Sequence, residues 1–71
     1  PVRPGCMIAV VYAVINGYLN SIEVKDISAY ETQLYALLEQ KYLPLLERLE
    51  SGSYDDNDVE EIKKALSEIQ R

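Results

Sequence analysis

The sequence predicts an all-α fold, a small bundle of four helices whose second and third members are separated by a proline kink. Three observations carry this reading. Apolar residues recur at three- and four-residue steps from Ile27 to Leu38 and again from Val59 to Ile69, the repeat of an amphipathic helix. Pro44 and Gly52 punctuate the stretch between those patterns, as breakers do. The apolar run at residues 7–15 is then left with helices as its neighbours, and a two-stranded hairpin without further strands is marginal.

The first element is the least constrained by its own residues. Met7-Ile8-Ala9-Val10-Val11-Tyr12-Ala13-Val14-Ile15 is apolar at every position and leads into Asn16-Gly17-Tyr18-Leu19. Neither a period of two nor one of 3.6 can show in such a run. One reading is a helix over residues 6–18, buried on all sides and capped near Asn16 or Gly17. The alternative is an α+β fold with an N-terminal hairpin, strands at 7–15 and 18–24 joined by Asn-Gly in a type I′ turn. Helix is preferred, because helices packed on one face of such a hairpin leave the other face of an all-apolar strand in water.

The later elements are better marked. Residues 20–23 form a connection in which Asn20 or Ser21 can bond the local backbone. Ile27, Tyr30, Leu34, Leu37 and Leu38 then define one helix face, with Lys25, Asp26, Glu31, Gln33 and Glu39 opposite. Pro44 lacks an N–H and its ring clashes with the preceding turn, so a boundary falls at residues 41–43. Pro44 itself enters the first turn of a short helix carrying Leu45, Leu46 and Leu49. Ser51-Gly52 stops that helix. Asp55, Asp56 and Asn57 are candidate N-caps of the last one, with a capping box expected from Asn57 or Asp58 to Glu60 or Glu61. The last helix places Val59, Ile62, Leu66 and Ile69 on one face, its acids early and Lys63, Lys64 and Arg71 late, in the sense the helix dipole favours. Glu60 and Lys64 stand at i, i+4. The expected core is Met7, Val10, Val11, Val14, Ile15, Ile27, Tyr30, Leu34, Leu38, Leu46, Val59, Ile62, Leu66 and Ile69.

Composition bounds the function. Seventy-one residues make one small domain at 1–71, whose core supports ~3–5 kcal/mol of stability without a staple or partner. The opening Pro1-Val2-Arg3-Pro4 and the absence of an initiating Met suggest a segment of a larger subunit. Cys6 is the single cysteine and there is no histidine, so no internal disulfide is expected; Cys6 reads as a small buried residue. The net charge is −5 and the bases are scattered, which argues against nucleic acid. The apolar run is shorter than the ~20 residues of a membrane span, and no signal-peptide context surrounds it. No membrane insertion is expected.

The residues that could carry chemistry do not fall at the spacings chemistry needs. Gly5, Gly17 and Gly52 are isolated and none precedes Lys-Ser or Lys-Thr, so no phosphate-binding loop is present. Asp55, Asp56, Asp58, Glu60 and Glu61 fail the calcium-loop template, lacking its central Gly and its closing acid. Helix capping is the expected role of this cluster, with weak Mg²⁺ association the lesser possibility. Without histidine, and with Ser21, Ser28, Thr32, Ser51, Ser53 and Ser67 in turn or helix-surface contexts, no nucleophile meets a base. Catalytic, cofactor-binding and metal residues are therefore expected to be none. Tyr12, Tyr18, Tyr30, Tyr35, Tyr42 and Tyr54 read as core and interface residues with wet hydroxyls.

Val11-Tyr12-Ala13-Val14-Ile15-Asn16-Gly17-Tyr18-Leu19 resembles the (I/L)(Y/F)A..(N/R)GYL signature of the C-terminal domain of the α subunit of F-type ATP synthases. Ser21-Ile22-Glu23-Val24 is similar to that family's acidic-hydrophobic connector, and Ile27-Ser28-Ala29-Tyr30-Glu31 to its helix start with an aromatic-Glu pair. Leu45-Leu46 falls at its short apolar turn. Gly52-Ser53-Tyr54-Asp55-Asp56 is similar to the Gly-Tyr-Asn-Asp stretch before its terminal helix. The likeness runs in order from residue 8 to residue 70. It departs at the start, where Pro4-Gly5-Cys6-Met7 stands in place of the family's Val-Glu-Glu-Gln. The acidic loop of the β-type subunit is missing, which points to the α type.

The resemblance implies a helical bundle at the membrane-proximal end of a catalytic head, packed beneath a nucleotide-binding domain and beside the central stalk. It implies a non-catalytic structural and coupling role in ATP synthesis and proton transport. The other head subunits and the stalk would be partners, and the location peripheral to an energy-transducing membrane. It also selects helix for the first element. An isolated piece of such a subunit is expected to self-associate. The alternative function is a stand-alone acidic helical interaction module, whose exposed apolar groove takes a partner helix.

Overall fold

Four helices form among the described residues, 2–69 of the computed structural model, with no strand. In sequence order they are α1 (Pro4–Ile15), α2 (Val24–Lys41), α3 (Leu43–Ser51) and α4 (Asp56–Ile69). The hairpin alternative is excluded. Asn16-Gly17 is instead a helix stop: Gly17 takes φ 82°, its N–H donates to the Val14 carbonyl at 3.2 Å, and the Tyr18 N–H donates to the Ala13 carbonyl at 2.9 Å. These are the paired bonds of a Schellman cap, which requires a left-handed residue that glycine adopts without strain. Helix α1 is thus shifted towards the N-terminus relative to the expected residues 6–18, beginning on Pro4 in its first turn.

The proline boundary lies where expected. Tyr42 alone separates α2 from α3, its N–H donating to the Leu38 carbonyl and its carbonyl accepting from the Leu46 N–H. Gly52 closes α3 in the left-handed conformation.

Helices α2 and α3 form the hub, each packed against the other three elements, while α1 lies chiefly on α3 and secondarily on α2. The core is built of Leu34 and Leu38 from α2, Leu45, Leu46 and Leu49 from α3, and Ile62, Ala65 and Leu66 from α4. Tyr30 and Tyr42 close it, and Cys6, Ala9, Val10 and Ala13 are what α1 contributes. Of the expected core, Val10, Tyr30, Leu34, Leu38, Leu46, Ile62 and Leu66 are buried, and Ile27, Val59 and Ile69 are half-buried.

Four expected core residues are not in the core. Met7, Val11, Val14 and Ile15 are 45%, 50%, 54% and 75% exposed. The reason is that α1 has helices on one side only, so its opposite face meets solvent. The inward side carries the small residues Gly5, Cys6, Ala9 and Ala13, which lets the α1 backbone approach α3 closely. At Gly5 an added Cβ would stand 3.0 Å from both the Leu46 Cδ2 and the Leu46 carbonyl oxygen. A Cβ there requires its neighbours to give by a few tenths of an ångström, which the Leu46 side chain does more readily than the backbone carbonyl.

Candidate functional site

Among the described residues the hydroxyl and thiol groups do not assemble into a reactive centre. Thr32 donates to the Ser28 carbonyl, Ser51 to that of Arg48 and Ser67 to that of Lys64, at 2.7–3.0 Å. Each thus spends its proton on its own helix. Burial pushes the Cys6 thiol up, away from the thiolate that nucleophilic chemistry needs.

The acidic cluster is engaged in structure. Asp55 is the N-cap of α4, its Oδ1 accepting from the Asn57 and Asp58 N–H groups at 3.0 and 3.2 Å. Asp58 returns the bond, its Oδ2 accepting from the Asp55 N–H at 3.2 Å. The capping box therefore runs between Asp55 and Asp58, two or three residues ahead of the expected one, with Asp in place of Glu at its far end. Asp58 is 4% exposed and accepts from Arg48 Nε at 2.7 Å, while Arg48 also reaches Glu61 at 3.1 Å. The hydrogen bond to Asp58 is the main cause that raises the Arg48 guanidinium above its ordinary value. Glu60 pairs with Lys63 at i, i+3, rather than with Lys64 as expected. Among the described residues no group of three or more acids or cysteines is placed to hold a metal ion. Arg71 lies outside the described residues.

Two further polar clasps join helix ends. Helix α1 has no acid in its first turn, and Arg3 before it makes no capping bond from its side chain. Glu50 of α3 supplies the cap from outside, its Oε2 accepting from the Gly5 N–H at 3.0 Å while Arg3 donates to both carboxylate oxygens at 2.8–3.0 Å. This arrangement replaces the acidic first turn that residues 4–7 lack. Between the C-terminal ends of α2 and α4, Glu68 accepts from the Tyr42 hydroxyl and from Lys41 Nζ. Sequence reasoning misses Arg48, Glu50 and Glu68, because their partners lie between 10 and 47 residues away.

What remains without a structural partner is the outer face of α1. Met7, Val11, Val14 and Ile15 stand at i, i+4, i+7 and i+8, one continuous stripe, and no charged residue occurs between Arg3 and Glu23. Val24, exposed at the start of α2, adds another apolar residue beyond the α1 cap. A protein this small normally turns charge, not valine and isoleucine, towards water, so the stripe is the candidate interaction surface. It is legible in the sequence only as the spacing of small residues at 5, 6, 9 and 13, which marks the opposite, close-packed side. A second feature is an open groove between Ser21, Asp26, Gln33 and Ile69, beside which the Tyr30 hydroxyl is buried without a hydrogen-bond partner. No helix among the described residues is long and apolar enough to cross a membrane.

Comparison with known proteins gives a consistent result. The family model described as ATP synthase alpha/beta chain, C terminal domain, matches residues 1–69. The ATP synthase subunit alpha of Dehalococcoides mccartyi (strain BAV1) is 35% identical over 72 aligned residues, covering 100% of this protein and 14% of that subunit. The subunit alpha of Helicobacter acinonychis is 38% identical over 63 residues, covering 87% of this protein and 12% of that subunit. That of Ehrlichia ruminantium (strain Gardel) is 32% identical over 69 residues, 97% of this protein and 14% of that subunit. The sequence thus spans about one-seventh of the length of these curated relatives. No solved structure matches it significantly. A match running through all four helices does not favour a stand-alone interaction module.

Proposed function

The protein belongs to the family of C-terminal domains of ATP synthase alpha and beta subunits, and from that premise we propose that it is the non-catalytic structural and coupling domain of an α-type subunit. In this reading it forms the helical end of a larger subunit in a rotary ATP synthase head, peripheral to the membrane and beside the central stalk. The single observation that carries it is the ordered α-subunit likeness, which takes in every helix of the bundle.

The geometry supports a mechanical role. Among the described residues Arg48, Glu50 and Glu68 tie neighbouring helices together. Helices clasped at three places transmit displacement as one body. The uncharged outer stripe of α1 supplies a surface that a neighbouring domain of the same subunit would cover. The other helices present the acidic, solvated side.

The test is a chimera. Residues 2–69 replace the matching C-terminal segment of the Dehalococcoides mccartyi alpha subunit, and the product is expressed with the remaining head and stalk subunits. Assembly of a complex with ATP-hydrolysis activity is the expected result, and Ile15→Lys in the same chimera should prevent it. Failure of the unsubstituted chimera to assemble, while circular dichroism reports the segment folded, would overturn the reading.

A further inference from the structure

Asn16-Gly17 ends α1, and the dipeptide also carries a chemistry of its own. We propose that it is a site of spontaneous deamidation, at a rate set by the opening of the α1 C-terminal turn. Gly17 has no side chain to shield its backbone nitrogen, which can attack the Cγ of the preceding amide. The N–Cγ bond forms, the Cγ–Nδ2 bond breaks, and Nδ2 leaves as ammonia with the Gly17 proton. Water then opens the five-membered imide at either carbonyl, leaving aspartate or isoaspartate at position 16.

The folded turn holds the dipeptide away from that reaction in three ways. Asn16 has ψ 13°, which turns the Gly17 nitrogen towards the backbone nitrogen of Asn16 and away from its Cβ, whereas closure needs it eclipsed with Cβ. The Gly17 N–H is engaged with the Val14 carbonyl. The Asn16 side chain is itself anchored, Nδ2 donating to the Tyr12 carbonyl at 2.9 Å. All three are released together when the last turn of α1 frays, and Asn16 is exposed, so neither water nor hydroxide is excluded. The other asparagines, Asn20 and Asn57, are followed by Ser21 and Asp58, whose side chains crowd the attacking nitrogen. The product puts a negative charge at a helix C-terminus, where the dipole opposes it, and removes the side-chain donor to the Tyr12 carbonyl, which keeps its bond from the Asn16 backbone N–H.

The experiment ages the full chain at mildly alkaline pH, folded in buffer and unfolded in urea, and quantifies aspartate and isoaspartate by peptide mapping. Hydrogen exchange of the Gly17 and Tyr18 amides gives the opening equilibrium independently. Conversion is expected at Asn16 alone in the folded protein, at least roughly tenfold slower than in urea, the factor of a ~1.4 kcal/mol opening. The slowing should equal the exchange protection of those two amides to within roughly threefold. Equal rates in buffer and urea would overturn the proposal. So would a folded protein that keeps its amide long after the measured opening allows conversion.

Discussion

Glu50 performs two tasks that the sequence assigns to no neighbour: it caps α1 and neutralises Arg3. Both hold its carboxyl below the ordinary 4.5, the Arg3 hydrogen bond first and the Gly5 N–H second. Glu68 is lowered likewise by the Tyr42 hydroxyl and Lys41. A carboxyl lowered by folding contributes stability that is present above its unfolded value and lost as pH falls through the folded one. Thermal melts should therefore weaken below about pH 4.5, and Glu50→Gln should both lower the melting temperature at neutral pH and flatten that acid limb. Tyr42 gives the alkaline counterpart. Burial, and then the bond to Glu68, push its hydroxyl from 10.0 up to about 12. A raised value means stability present below pH 10 and lost as pH rises towards 12, so Tyr42→Phe should lose less stability over that interval than the parent protein. Gly5→Ala tests the close contact. Alanine gains ~1 kcal/mol in helix propensity, but overpacking costs ~1–3 kcal/mol. The Leu46 oxygen it would meet is backbone and cannot turn aside. We expect a net loss of about 1 kcal/mol, a fall of about 5 °C in a protein of this size.

At the scale of elements, the sequence speaks most clearly where polar and apolar residues alternate with helical spacing. The Pro44 boundary, the Gly52 stop and the buried faces of α2 and α4 follow from local steric rules and periodicity. Helix α1 is legible in existence, through family likeness, but not in orientation, since a run of nine apolar residues has no polar side to point outward. Its orientation follows size in the main: Gly5, Cys6, Ala9 and Ala13 are buried with Val10, while Met7, Val11, Val14 and Ile15 face away. The clasps at Arg48, Glu50 and Glu68 are illegible for another reason, namely that pairing across tens of residues is decided by topology. These two lessons give opposite expectations for substitutions on α1. Ala9→Leu intrudes on the fully buried side of α1 and should destabilise by ~1–3 kcal/mol in a denaturant titration. Ile15→Lys, on the exposed stripe, should change the same titration, run in the dilute limit, by less than ~0.5 kcal/mol.

For the whole molecule the question is whether a core this size closes without help. A domain of about seventy residues holds ~3–5 kcal/mol, and truncating a fully buried leucine such as Leu38 or Leu66 to alanine costs ~2–5 kcal/mol. Either variant should therefore lose the cooperative far-UV melt of the parent. The stripe on α1 adds a second term, because apolar surface left in water can be covered by another copy. Association of the native form raises apparent stability by mass action. Sedimentation equilibrium and thermal melts over a tenfold concentration range should consequently show self-association accompanied by a rising melting temperature. Ile15→Lys separates this from a core that simply unfolds. It should return the protein to a monomer and abolish the concentration dependence, while leaving the dilute-limit melt where it was. A parent protein that stays monomeric with a concentration-independent melt would mean that the stripe is tolerated in water, and that the larger subunit is not needed to cover it.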